Sequence, residues 1–185
     1  MRTVVFCRTS KSRDAQLSGI LHRNLPDFYH ATLVSPSRIT EQGEGEELLL
    51  LETRELPEAG LKNAVFVFGE NFVPEKAHKL NGAPLCIAAS DNLPLLEGIA
   101  GSHPQVITCG MSPKDTFSCS GKSEHSAAIS LLRETVSSTG KKIEPLELIF
   151  SFSEDFSVYN LLAYAALLTL LGNIPEPPES PIVIR

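Results

Sequence analysis

The segment Arg8-Thr9-Ser10-Lys11-Ser12 follows directly on the apolar run Thr3-Val-Val-Phe6-Cys7 and puts a Lys-Ser pair at the junction between a buried strand and a helix start. This is the layout of a phosphate-binding loop. In such a loop glycines let several backbone N–H groups turn inward around phosphate oxygens, the Lys neutralises charge, and the Ser or Thr hydroxyl reaches Mg²⁺. Here Cys7 and Ser10 stand where glycine would be expected. A Cβ at those positions penalises positive φ angles and crowds the phosphate path. Two readings of Lys11 and Ser12 stay open: residual anion contact at a helix N-terminus, or a helix-start Ser beside a solvated Lys.

Two carboxylates belong to the same chemistry. Glu52 ends the run Leu48-Leu-Leu-Leu51, and a carboxylate at the end of a central strand points to the crevice where a hard cation such as Mg²⁺ could bind. The competing reading pairs it with Arg54, two residues on along the same side of a strand. Asp91 could contact the ribose or base of a nucleotide, although Asp91-Asn92-Leu93-Pro94 is also a good turn. Other catalytic arrangements find less support. His22, His30, His78, His103 and His125 are scattered without a Cys partner, Cys109 and Cys119 lack two further metal ligands at credible spacing, and Ser123 and His125 have no nucleophile elbow.

The elements that must position these residues are legible as short β-rich runs: Thr3–Phe6, Ala31–Val34, Leu48–Leu51, Ala64–Phe68, Leu85–Ala88 and Gln105–Thr108. Their apolarity is continuous rather than alternating, as in strands covered on both faces of a parallel sheet. Helical spacing over Asp14–Arg23 and a short helix over Pro94–Gly101 fit between them, so the fold class is α/β, a doubly wound and mostly parallel sheet with flanking helices. After Gly110 the pattern changes. Thr116–Ser120 alternates like a strand, and Ile129–Val136 and Ile143–Phe152 read as a hairpin turning at Gly140, with a helix over Ser126–Ser138 as the rival. A closing helix runs to Leu171, stopped by Gly172, and the Pro-rich segment from Pro175 to Pro181 is expected to be extended. Residues 1–172 therefore read as one domain and 173–185 as a tail.

The bulk composition limits the partners. The 185 residues carry a net charge of −6, and the Lys and Arg residues form no basic run, which argues against nucleic acid. The four cysteines show no C-x-x-C spacing and the N-terminus no signal peptide, consistent with a reduced, cytoplasmic setting. Leu161–Leu171 is too short for a membrane span, and the chain reads as soluble.

In chain order these segments resemble the central, ATP-binding domain of the Mur ligases, which join amino acids to peptidoglycan precursors. Arg8-Thr9-Ser10-Lys11-Ser12 resembles the family's Gly-Thr-x-Gly-Lys-Thr/Ser loop, and Leu48–Glu52 the strand ending in a Mg²⁺-binding Glu. Ala88-Ala89-Ser90-Asp91-Asn92-Leu-Pro94-Leu-Leu with Val106-Ile-Thr-Cys-Gly110 resembles the Asn-x-Asp-Asp-x-x-Leu segment and the strand after it. Phe156-Ser-Val-Tyr-Asn160-Leu-Leu-Ala163 resembles the start of the closing helix. The resemblance implies a nucleotide site on Ser10, Lys11, Ser12 and Asp91, Mg²⁺ on Glu52, and ATP as cofactor. The departures are equally specific: the loop glycines are replaced, Ala89 stands for the Asn expected at adenine, and Ser157 for the first Asn of the closing motif. In place of the family's His-rich motif and carbamylated Lys the chain offers only Lys76, His78 and Lys79, and nothing matches the flanking substrate domains.

The expectation is thus a degenerate, stand-alone domain without ligase activity and without a catalytic residue. It would act through binding a separately encoded Mur-type chain or a second copy of itself. The alternative is the nucleotide-binding subunit of a split ATP-dependent amide ligase completed by a partner chain.

Overall fold

The computed structural model describes residues 1–57, 61, 64–75, 80, 84–175 and 180–185; Lys76, His78 and Lys79 lie outside the described residues. The first strand, β1 (Arg2–Cys7), is followed by α1 (Ser12–Asn24), a 3-10 turn at Leu25–Asp27, β2 (His30–Ser35), β3 (Arg38–Gln42), β4 (Glu47–Thr53), β5 (Ala64–Phe68), β6 (Leu85–Ala89), α2 (Leu93–Ala100) and β7 (Gln105–Gly110). Next come β8 (Phe117–Lys122), β9 (Ser126–Leu131), the short β10 (Thr135–Val136) and β11 (Lys142–Ile143), β12 (Leu146–Phe152), α3 (Val158–Leu171) and β13 (Ile182–Ile184).

Eleven strands form one sheet in the order β13-β12-β9-β8-β7-β6-β5-β1-β4-β2-β3. The six strands expected from continuous apolar runs are all present, and every pairing among β2, β4, β1, β5, β6 and β7 is parallel. Side chains alternate across β1, so Val4 and Phe6 enter the core on the α1 and α3 side while Val5 and Cys7 enter the core that includes Leu95 and Ile99 of α2. The chain leaves β1 toward β2 on one side and later leaves β5 toward β6 on the other. The carboxyl ends of β1 and β5 therefore border the topological switch point, where open α/β sheets place their ligand crevice.

The second half is antiparallel at β8, β9 and β12. Gly140, at φ +84°, turns the chain between β10 and β11, so the hairpin prevails over the alternative helix across 126–138. Two strands have no clear sequence signal. β3 is an exposed edge strand of mixed polarity, and β13 is a three-residue strand parallel to β12, where the sequence suggested only an extended tail.

Every residue of α3 from Tyr159 to Leu171 is buried, which fits a helix apolar on all sides. Six strands separate β13 from β1 in the sheet, yet the Arg185 N–H donates to Asn24 Oδ1 at the end of α1. The sheet must therefore curl around α3 until its last strand meets the first helix. Gly172, at φ +80°, ends α3 with its N–H on the carbonyls of Leu168 and Thr169.

Candidate functional site

The loop after β1 opens α1 without a side-chain cap. Lys11 is the N-cap residue in extended geometry (φ −71°, ψ 151°), but a Lys has no acceptor to offer the first-turn N–H groups. The Ala15 N–H makes a backbone bond to Lys11 O at 3.2 Å, and Ser10, Lys11 and Ser12 are all exposed. Between residues 7 and 12 no φ is positive; among the described residues the sole non-glycine in that region is His103. The loop therefore lacks the alternating right- and left-handed backbone that turns successive N–H groups onto one anion.

An acceptor nevertheless sits in the loop. Asp14, in the first turn of α1 and 2 % exposed, accepts from the Thr9 N–H at 2.6 Å and from the Thr9 hydroxyl at 2.7 Å, both through Oδ2. Gly69, just after β5, lies against this carboxylate so closely that a Cβ there would be 2.4 Å from Oδ2. The Gly69 N–H donates to Cys7 O at 2.8 Å, and Arg13 pairs with Glu70 at 2.7 Å. Internal contacts thus join the ends of β1 and β5 at the switch point.

Glu52 is buried on the α1 side of β4. Arg8 Nε lies 3.1 Å from Oε2 in an ion pair, His22 Nε2 lies 2.9 Å from Oε1, and the Ser18 hydroxyl donates to Oε1. Arg8, not Arg54, is the cation on this carboxylate, and the His22 imidazole lies against its other oxygen. Burial by itself would push its pKa up, but His22, Ser18 and Arg8 together hold it below the ordinary glutamate value.

Asp91 is exposed in the turn after β6, where the Leu93 N–H bonds to Asp91 O at 2.9 Å and Asn92 caps α2. It borders two adjoining clefts. One, of about 310 Å³, has Ala89, Cys109, Tyr159 and Leu162 along its wall; the other, of about 450 Å³, is shared with Arg13, Glu70 and Asn92. The Tyr159 hydroxyl donates to Phe68 O at 2.5 Å, tying α3 to the end of β5.

Ser10, Lys11 and Ser12 therefore share the β1–α1 junction, Glu52 adjoins it through Arg8, and Asp91 faces Arg13 across the second cleft. Arg8, Asp14, Ser18, His22 and Gly69 were not anticipated as site residues. The available signal was the i, i+4, i+8 spacing of Asp14, Ser18 and His22, which sets them along one side of α1.

The residues present do not fit an open triphosphate and Mg²⁺ site. Both Glu52 oxygens are engaged by Arg8, His22 and Ser18, and a buried carboxylate already holds the Thr9 donors. Among the described residues no group of three or more His, Cys, Asp or Glu is arranged to hold a metal ion. Three of the four cysteines make poor nucleophiles: burial pushes the thiols of Cys7 and Cys109 far up and that of Cys86 to about 12.

The fold is α/β and similar to that of a Mur-type ligase. A solved structure of that type, the murein peptide ligase Mpl from Psychrobacter arcticus, superposes with a TM-score of 0.50 over 92 % of this chain at 9 % sequence identity. The chain spans 44 % of that protein's length, and at this identity the likeness concerns the fold alone. No protein-family model matches the sequence, and neither does any curated protein. No helix among the described residues is long and apolar enough to cross a membrane.

Proposed function

We propose that this chain is a degenerate Mur-ligase-like domain that has lost ligation and acts by binding, as a regulatory module in cytoplasmic peptidoglycan metabolism. The observation that carries this reading is Glu52. The family resemblance implies a metal-binding carboxylate at the end of this strand, and the chain supplies its own cation there in Arg8, with His22 and Ser18 on the other oxygen. A metal ion would have to displace a guanidinium from a carboxylate that is 4 % exposed, which costs far more than binding at an open site. The all-negative φ angles of residues 7–12 support the same reading for the phosphates. Its partner would be a separately encoded Mur-type chain or a second copy.

One observation favours a second reading. The chain matches less than half of a murein peptide ligase, and Lys11 and Ser12 lie at an uncapped helix start, so a nucleotide-binding subunit completed by sequence outside these 185 residues is the alternative. In it Lys11 and Ser12 would meet phosphate, Asp91 the nucleoside and Glu52 the Mg²⁺. An ADP-release assay with ATP, Mg²⁺ and candidate amino acids separates the two. The binding-module reading expects none from the chain alone, and from a co-purified Mur-type partner no release that depends on Lys11 of this chain. Release that needs both chains and is lost with Lys11→Ala favours the split enzyme, and release by the chain alone ends the first reading.

A further inference from the structure

The poor fit between this crevice and a phosphate has a specific source in the fold, and it is not the missing glycines alone. We propose that Asp14 is an intramolecular anion that locks the loop after β1, an autoinhibitory contact occupying the donors that a phosphate oxygen would need. The proposal rests on the binding-module reading and names the device that keeps the crevice closed.

Three independent features converge on this carboxylate. One oxygen, Oδ2, takes both the N–H and the hydroxyl of Thr9, at 2.6 and 2.7 Å. The Thr9 hydroxyl in turn accepts the Lys11 N–H at 3.2 Å, so the chain of donors runs from the α1 start through Thr9 to Asp14. The carboxylate lies in the first turn of α1, where the helix dipole favours negative charge, so it also supplies the electrostatic partner that the non-capping Lys11 cannot. Finally, the residue just after β5 has no side chain at the point of contact. Any Cβ at Gly69 would fall within 2.6 Å of all three carboxyl atoms, so this glycine is the wall that seats the group.

The consequence is both steric and electrostatic. A phosphate approaching Thr9 meets a buried like charge and must expel it from its two hydrogen bonds before it can use the same donors. The Arg13–Glu70 pair, formed by the residue before Asp14 and the residue after Gly69, spans the contact at the surface. Lys11 and Ser12 remain exposed beside it, which is why the junction keeps the outward composition of a phosphate loop without its accessible donors.

Titration with inorganic phosphate, followed by the amide signals of Thr9, Lys11 and Ser12, tests the lock in the full chain. The unmodified protein should show no saturable shifts at concentrations that saturate Asp14→Ala, whose apparent affinity should be at least about tenfold higher, the factor expected from restoring one charge-compatible oxyanion position. Should Asp14→Ala not fold, Asp14→Asn keeps the size and one acceptor while removing the charge, and a smaller gain at the same amides is expected. A folded variant without gain, shifts spread away from the loop, or equal binding by the unmodified chain would overturn the lock. Lys11-dependent binding of ATP and Mg²⁺ by the unmodified chain would instead refute the binding-module reading. A silent unmodified chain together with a silent variant removes only the lock.

Discussion

Glu52 concentrates the chemistry that decides between a working site and a closed one. Its carboxyl titrates below the ordinary glutamate range because His22, Ser18 and Arg8 outweigh the cost of burial. A group depressed in this way stabilises the fold while it is ionised, above its unfolded value, and loses that contribution as pH falls through the folded value. Acidification below the ordinary glutamate range should therefore lower the melting temperature of the unmodified chain. Glu52→Gln should begin about 2 kcal/mol less stable at neutral pH, because Arg8 loses its counter-charge, and should show a shallower acid limb. Parallel acid limbs in the two proteins would assign the pH dependence to other groups. At Gly69 the expectation is steric: Gly69→Ala would put a Cβ 2.4 Å from Asp14 Oδ2 and must move the carboxyl, at a cost of about 2 kcal/mol in a denaturant melt. A neutral result would mean that Asp14 is free to swing away.

α3 is the element on which both halves of the sheet depend, since it touches β5 to β9 as well as α1. Leu168 is fully buried on it, and Leu168→Ala should cost about 3 kcal/mol by chemical denaturation, whereas an exposed helix position would lose a few tenths. Gly172→Ala should cost about 1 kcal/mol through the left-handed cap alone, without altering the rest of the core. This helix and its stop were legible in the sequence because an unbroken apolar run ended at a glycine followed by Pro175. The parallel strands were legible because burial on both faces makes the runs continuous. β3 was not, because Arg38-Ile-Thr-Glu-Gln42 is an edge strand mostly open to solvent and carries no such run. β13 was hidden by its length and by the prolines before it. At the site, sequence gave the position of Lys11 and Ser12 along the chain. The groups that close it come from separate segments: Asp14 meets Gly69 across 55 positions, and Arg8 meets Glu52 across 44. Such pairings appear only when β1, β4 and β5 are laid side by side.

At the scale of the whole molecule, the parallel half builds a switch-point crevice and the antiparallel half wraps α3 until Arg185 reaches α1. Asn24 joins Arg23 and Asp27 in this seam: its side chain accepts from the Arg185 N–H and donates to Ile20 O, while Arg23 and Asp27 also bond Arg185. Asn24→Ala should accelerate amide exchange at Ile182–Ile184 while leaving β1 and β5 protected; uniform acceleration would mean that the seam and the core open together. The fold is similar to that of a murein peptide ligase, and the crevice holds contacts that the chain makes with itself. Isothermal titration calorimetry of the isolated chain with ATP and Mg²⁺ tests that claim most directly. The account predicts no saturable binding heat, unchanged by Lys11→Ala; tight saturable binding that disappears in Lys11→Ala would contradict it.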